Sequence, residues 1–290
     1  MKSIGSKMKI LVTGSTGQLG SEIKDLGGDY PQYDFVFMDR VMMPLDDTER
    51  VLTVLDAEQP DFIINAGAYT AVDKAESEVE LADAVNHQCV RVLGEWCEEH
   101  EAHIIHISTD YVFDGTSSSP LTDEANTKPI NVYGATKRKG EVALQNAHSD
   151  AIVIRTSWVY STYGNNFVKT MCRLMQEREN LGVVRDQIGT PTYAADLAQV
   201  IMQIISSKIW KGGVYHYSND GEISWYDFAT KIKEIKGFGC EVNAIESTAF
   251  PTPAKRPAYS LLDKSKIKKE YSINVPYWEN SLKVMLAKLQ

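Results

Sequence analysis

The sequence predicts an α/β fold: an open parallel sheet wound on both faces by helices, followed by a smaller C-terminal lobe. Three observations predict it. Short apolar runs alternate with longer helical patterns through the first 158 residues. The runs are apolar throughout rather than at every second residue, as strands covered on both faces are. A glycine-rich turn joins the first run to the first helical pattern, as in βαβ units.

In order, KILVTG (9–14) reads as a buried strand and QLGSEIKDLG (18–27) as a helix that Gly27 and Gly28 end. DFVFMD (34–39) is the second strand, and TERVLTVLDAEQP (48–60) is a helix stopped by Pro60. DFIINAG (61–67) is the third strand, followed by one long helix over 76–100. HIIHIS (103–108) is the fourth strand, VYGATKRKGEVALQN (132–146) a helix, and AIVIRTS (151–157) the fifth strand. Beyond residue 158 the alternation fails. A helix over 165–179 precedes a strand, loop and helix within 182–206, a strand at 213–219 and a helix at 224–235. A Pro-rich stretch, AFPTPAKRPAYSLLD (249–263), follows. The expected division is a dinucleotide-binding domain over 1–158, to which parts of 183–219 return. Residues 159–290 form mainly a substrate-binding lobe over the carboxyl ends of the strands, where open α/β sheets bind ligands.

Composition removes several function classes. The chain has 290 residues, 43% apolar and 24% charged, with a net charge of −9. KSKIKK (264–269) is the only notable basic cluster, so nucleic acid is disfavoured as a ligand. No apolar run approaches a membrane span, and the start has no signal-peptide pattern. Cys89, Cys97, Cys172 and Cys240 form no C-x-x-C pair, which suits reduced thiols in a cytoplasm. Met8 offers an alternative start, with residues 1–7 a loose extension.

The chemistry gathers in a few motifs. Gly14, Gly17 and Gly20 are spaced G-x-x-G-x-x-G between the first strand and the first helix. A tight turn, close backbone approach to a pyrophosphate and tight helix packing each require a missing Cβ, and the helix start offers N–H groups to phosphate. Asp39 and Arg40 end the second strand. The carboxylate suits adenosine ribose hydroxyls and the guanidinium suits a 2′-phosphate, so the pair suggests use of either NADH or NADPH. Ser108 and Thr109 stand at the end of the fourth strand, facing the same crevice by expectation. Tyr133 and Lys137 are four apart on a helical segment and therefore share one face; a tyrosine four residues before a lysine occurs once in this chain.

Together these pieces resemble the extended short-chain dehydrogenase/reductase superfamily, whose pattern is the glycine motif, a strand-end Ser/Thr and Y-x-x-x-K. NAGAYTAVDKAESE, STDYVFDGT, NVYGATKRKGE, RTSWVYSTYGNNFVKTM, DQIGTPTYAADLA and FPTPAKRPAYSLLD narrow the resemblance to the dTDP-4-dehydrorhamnose reductases, from Met8 onwards. The resemblance implies a Rossmann-type sheet and reduction of a sugar C4 ketone by NADPH or NADH. Tyr133 would donate the proton, Lys137 would lower the phenol's pKa and bond the nicotinamide ribose, and Thr109 would donate to the ketone oxygen. Gly14, Thr16, Gly17, Gln18, Leu19 and Gly20 would cradle the cofactor. Leu45 and Asp46 would lie near its adenine, and Ala66, Gly67, Ala68, Tyr69 and Thr70 would line it after the third strand. Ser108, Thr109, Asp110, Tyr133, Trp158 and Arg256 would contact the dTDP-sugar, with Trp158 a wall for the deoxysugar methyl and Arg256 on the diphosphate. Some relatives hold Mg2+ between subunits of a homodimer; Glu22 matches one carboxylate, but Ala195 stands where another is expected, so no metal set is complete. Two other readings stay open: a nucleotide-sugar epimerase or dehydratase of the same superfamily, and a non-catalytic NADP-binding regulatory subunit like that of methionine adenosyltransferase.

Overall fold

The computed structural model describes residues 7–207 and 209–289; the first six residues of the expected N-terminal extension lie outside the described residues. The strands are β1 (Met8–Thr13), β2 (Tyr33–Met38), β3 (Phe62–Asn65), β4 (His103–Thr109), β5 (Ile152–Thr156), β6 (Val159–Tyr160), β7 (Asn180–Val184), β8 (Ile188–Gly189), β9 (Thr192–Tyr193), β10 (Gly213–His216), β11 (Ile223–Ser224) and β12 (Glu241–Ile245). The α-helices are α1 (Gln18–Leu26), α2 (Thr48–Glu58), α3 (Val72–Ala75), α4 (Val79–Asp83), α5 (Cys89–Glu99), α6 (Val132–Ala147), α7 (Phe167–Glu177), α8 (Ala194–Ser206), α9 (Trp225–Lys236), α10 (Ser265–Tyr271) and α11 (Trp278–Lys288).

Six strands form the central sheet in the order β10-β5-β4-β3-β1-β2, with every pairing parallel. Successive side chains on each strand alternate between two cores. Ile10, Val12, Ile64 and Ile154 pack with Leu19, Ile23 and the apolar stripe of α8 on one face. Leu11, Ile63, Ile104 and Val153 pack with α2 and α5 on the other. β1 has β2 on one side and β3 on the other, so the loops after β1 and β3 part company there. A crevice at such a switch point is where open α/β sheets hold ligands.

A third core, including Tyr160, Val168, Met171, Leu181, Phe228, Trp278 and Leu282, belongs to the C-terminal lobe. There β7 pairs with β12 in parallel, a strand the sequence reading did not contain. Residues 213–216 return to the central sheet as its edge strand, β10.

The helix expected over 76–100 is interrupted. Ala84–Gln88 form a π-helical turn between α4 and α5. Two contacts account for it. The Asn86 amide bonds the Tyr69 backbone at both N–H and C=O and also reaches Thr136 Oγ1. A Cβ on Gly140 would meet the Asn86 carbonyl oxygen at 2.0 Å, so α6 accepts this bulge only at a glycine. The bulge tethers the loop after β3 to the helix that carries Tyr133 and Lys137.

Candidate active site

The turn after β1 is shaped by two glycines. Gly14 has φ +63, and a Cβ there would meet the Gly67 backbone at 2.7 Å. A Cβ on Gly20 would meet the Gly14 carbonyl oxygen at 2.4 Å. The first bond of α1 runs from the Ser21 N–H to the Gly17 carbonyl, which leaves the N–H groups of Gln18, Leu19 and Gly20 at the helix start without helical acceptors. Gly14, Thr16, Asp39, Arg40, Leu45, Asp46, Gly67, Ala68 and Tyr69 line one crevice of about 150 Å3, joined by Met43, Leu81 and Val85. The last three were missed because apolar side chains in helices and loops carry no local signal. Such a cradle could hold part of a dinucleotide: backbone N–H groups suit phosphate and the crevice offers an apolar slot.

Some expected contacts have other duties. Leu19 is buried in the core, leaving only its backbone to face a ligand. The Gln18 amide bonds the Val159 carbonyl and Asn166, tying α1 to the cap of α7. Thr70 is exposed and Ala66 half-buried beside the crevice. Asp39 Oδ1 accepts from the N–H groups of Val41 and Met42 at 2.8 and 2.9 Å, so it shapes the turn as well as facing the crevice. Arg40 is 78% exposed and 3.8 Å from Asp46.

Asn131 caps α6 by accepting from the Gly134 N–H at 2.7 Å, which sets the start of the helix and with it Tyr133 and Lys137. Both are buried. Tyr133 packs edge-on against Tyr111, ring centroids 5.5 Å apart. Burial pushes its phenol up to about 12, opposed by a hydrogen bond with Thr109. That is the reverse of the lowering expected from Lys137. Lys137 is engaged elsewhere: its Nζ donates to the Ile107 carbonyl at 2.6 Å and lies 3.2 Å from His106 Nε2. Burial brings Lys137 down to about 8, with Glu141 opposing.

Thr109 Oγ1 accepts from the Tyr111 N–H and donates to Asp110 Oδ1 at 3.0 Å. In this arrangement its one proton is committed to Asp110, so donating to the phenol or to a ketone oxygen requires the hydroxyl to turn. Ser108 does not face the crevice. Strand alternation turns it to the opposite side from Thr109, where its hydroxyl bonds Glu141, itself paired with buried Arg155 at 2.8 Å.

Beyond Tyr111 lies a larger cavity of about 570 Å3, walled by Phe167, Leu174, Trp225 and Phe250 and edged by Arg178, Gln187 and Arg256. Trp225 rather than Trp158 lines it. Trp158 stacks behind, centroids 3.7 Å apart, from a left-handed backbone with φ +50; such a turn in a bulky residue stores strain and clusters at functional sites. Arg256 lines the cavity but is held by Asp73 through two bonds of 3.0 and 2.8 Å. Arg178 is exposed at the rim, and among the described residues no salt bridge engages it. Sequence reading passed over it because nothing local marks an arginine just past a helix end.

Glu22 already has partners within the chain. Its carboxylate accepts from Ser161 at 2.6 Å, and the Lys288 ammonium lies in its field. Ala195 offers no ligand, and among the described residues no group of three His, Cys, Asp or Glu could hold a metal.

A family profile described as RmlD substrate binding domain matches residues 8–290. The dTDP-4-dehydrorhamnose reductase of Aggregatibacter actinomycetemcomitans is 42% identical, over 95% of this chain and 97% of its own length. Among solved structures, a dTDP-4-dehydrorhamnose reductase from Clostridium acetobutylicum superposes with TM-score 0.93 at 38% identity, covering 98% of this chain and 100% of that one. One from Bacillus anthracis, in complex with NADP, gives 0.92 at 37%, with the same coverage. By both sequence and fold, over nearly its whole length, the chain belongs to the dTDP-4-dehydrorhamnose reductase family.

Proposed function

We infer that this protein reduces the C4 ketone of dTDP-4-dehydro-6-deoxy-L-mannose to dTDP-L-rhamnose with NADPH or NADH. The observation that carries the reading is family membership across nearly the full chain of relatives, in a molecule whose Tyr133 packs with Tyr69 of one recess and Tyr111 of another. One is the glycine-lined crevice suited to a dinucleotide. The other is the larger cavity, reached past Tyr111, with an aromatic wall and arginines at its edge.

The nicotinamide cofactor supplies hydride to carbon. The protein supplies the rest. Tyr133 holds a proton on Oη, oriented by Thr109, and delivers it to the C4 oxygen as negative charge grows there. A buried phenol is fully protonated at working pH, which suits a donor. The charge on Lys137 would favour the phenolate left behind. Trp225, backed by Trp158, excludes water from the sugar face. Arg178 and Arg256 would compensate the diphosphate, needed because the chain is net negative. Asp39 and Arg40 would meet the adenosine ribose or its 2′-phosphate. The same reading places the enzyme in the cytoplasm, and as a homodimer, which light scattering on the purified chain would read directly.

The test is direct. Adding the 4-keto sugar nucleotide to enzyme and NADPH should lower nicotinamide absorbance stoichiometrically with alcohol product. Product formed without net NADPH loss would favour an epimerase instead, and binding without turnover a regulatory subunit.

A further inference from the structure

Lys137 is not alone in its burial. A chain of hydrogen bonds runs from it across three strands to the cofactor crevice. Lys137 Nζ lies 3.2 Å from His106 Nε2 on β4. His106 Nδ1 is 2.9 Å from the Asn65 amide nitrogen on β3. Asn65 Oδ1 is 2.7 Å from Thr13 Oγ1 on β1. Thr13 Oγ1 accepts the Gly67 N–H at 3.0 Å, and Gly67 lines the crevice. His106, Asn65 and Thr13 are each 1% exposed or less.

We propose that His106 is the positioning residue of Lys137, a neutral partner that fits both charge states of the amine and ties its orientation to the cofactor loop. This rests on the catalytic reading of Lys137 above.

The argument is one of donors and acceptors. As placed, Thr13 takes the Gly67 N–H and gives its own proton to Asn65 Oδ1. Asn65 then donates to His106 Nδ1, so the imidazole proton sits on Nε2 and points at Lys137. That arrangement suits a neutral amine, whose lone pair accepts it. An ammonium has no lone pair and needs Nε2 bare. The chain can meet that need. The two ends of a carboxamide have the same shape, and turning Asn65 over places its oxygen on a proton at Nδ1 and its NH2 on Thr13. Nε2 is then free to accept from the ammonium. Both registers keep each contact of the chain and the Gly67 N–H bonded to Thr13, and the second turns the Thr13 proton off the Asn65 oxygen.

In either register two directions around Nζ are fixed, towards Ile107 O and His106. The remaining N–H of the ammonium is left for the cleft. His106 remains a partner rather than a rival cation, because burial and the Lys137 charge hold its pKa well below the usual imidazole range. The other charged groups near Lys137 are already paired. Glu141, one turn along α6, is bound by Arg155 of β5 and by Arg138, and Arg155 also faces His216 of β10. Tyr133 shares the helix face, and Asp110 follows β4.

The test compares pH profiles of kcat and of the KM for sugar nucleotide in the wild type and in His106→Phe, His106→Gln, Asn65→Leu and Lys137→Met enzymes. His106→Phe should lower kcat about tenfold or more, the loss expected for one hydrogen bond to a charged group. KM should stay nearly constant. The basic limb should move to lower pH, because the ammonium has lost an acceptor. His106→Gln should restore most of both, since a carboxamide also offers an acceptor to an ammonium and a donor to an amine. Asn65→Leu should move the limb in the same direction, and it serves if His106→Phe does not fold. A purely structural histidine would lower thermal stability without moving the limb. An unmoved limb and wild-type kcat in His106→Phe, or an unmoved limb in Asn65→Leu, with Lys137→Met inactive, would overturn the proposal alone. A fully active Lys137→Met would overturn it together with the catalytic reading it rests on.

Discussion

Replacing Asp110 by Asn should make the protein more stable at neutral pH and less active. Asp110 is 2% exposed. Its Oδ1 takes the Thr109 hydroxyl, while its Oδ2 is buried with no partner in bonding geometry. Burial raises the carboxyl from 3.8 to about 6, against the opposing Ser260 and Thr109 hydroxyls. The folded chain therefore binds this proton more tightly than the unfolded one. Unfolding releases it between about pH 4 and 6, so stability falls as pH rises through that window and the full loss persists above it. About two units correspond to roughly 3 kcal/mol. Asn keeps an acceptor for Thr109 and removes the charge. At about pH 8 the variant should gain up to roughly 3 kcal/mol, on the order of 5 °C in Tm for a chain of this size. Near pH 4 the two proteins should melt together. Turnover should fall, because Thr109 loses the charged partner that fixes its proton. A stability cost retained at a site is what a functional charge in a buried cleft produces. Thermal melts across pH with matched turnover measurements decide it. Equal melting temperatures at both ends of the range, or a variant less stable at about pH 8, would refute the assignment of a destabilising buried charge.

Three further outcomes are expected. Tyr133→Phe should keep NADPH affinity and stability while losing about 10²- to 10⁴-fold in single-turnover hydride transfer; a near wild-type rate would remove Tyr133 as the acid. Arg40→Ala should weaken NADPH more than NADH, and Asp39→Ala should do the opposite, measured by titration with each cofactor; equal shifts would place neither residue at the adenosine ribose. Arg178→Ala should raise the KM for sugar nucleotide by about 10-fold or more with cofactor affinity unchanged, and an unchanged KM would assign the diphosphate to Arg256 instead.

The sequence by itself determined the layered architecture and marked the residues of a candidate site. Short apolar runs alternating with helical patterns read as strands covered on both faces, and glycines at 14 and 20 stand where the backbone has no room for a Cβ. These are local constraints, so they leave local signals. The tyrosine and lysine were legible for the same reason, being four apart on one helix. What the tertiary structure decided were the partners, because partners arrive from distant parts of the chain. Ser108 and Thr109 are neighbours in sequence, yet the strand turns one into a buried ion pair and the other to the phenol. Arg256 is a free cation in the sequence and half of an ion pair with Asp73 in the fold. The π-turn at Ala84–Gln88 answers to Tyr69 and Gly140, both outside the helix it interrupts. Lys137 lies beside Tyr133 in the motif, but only the stacking of β1, β3 and β4 brings Thr13, Asn65 and His106 into a line that holds it, since hydrogen bonds across a sheet depend on register and not on separation along the chain.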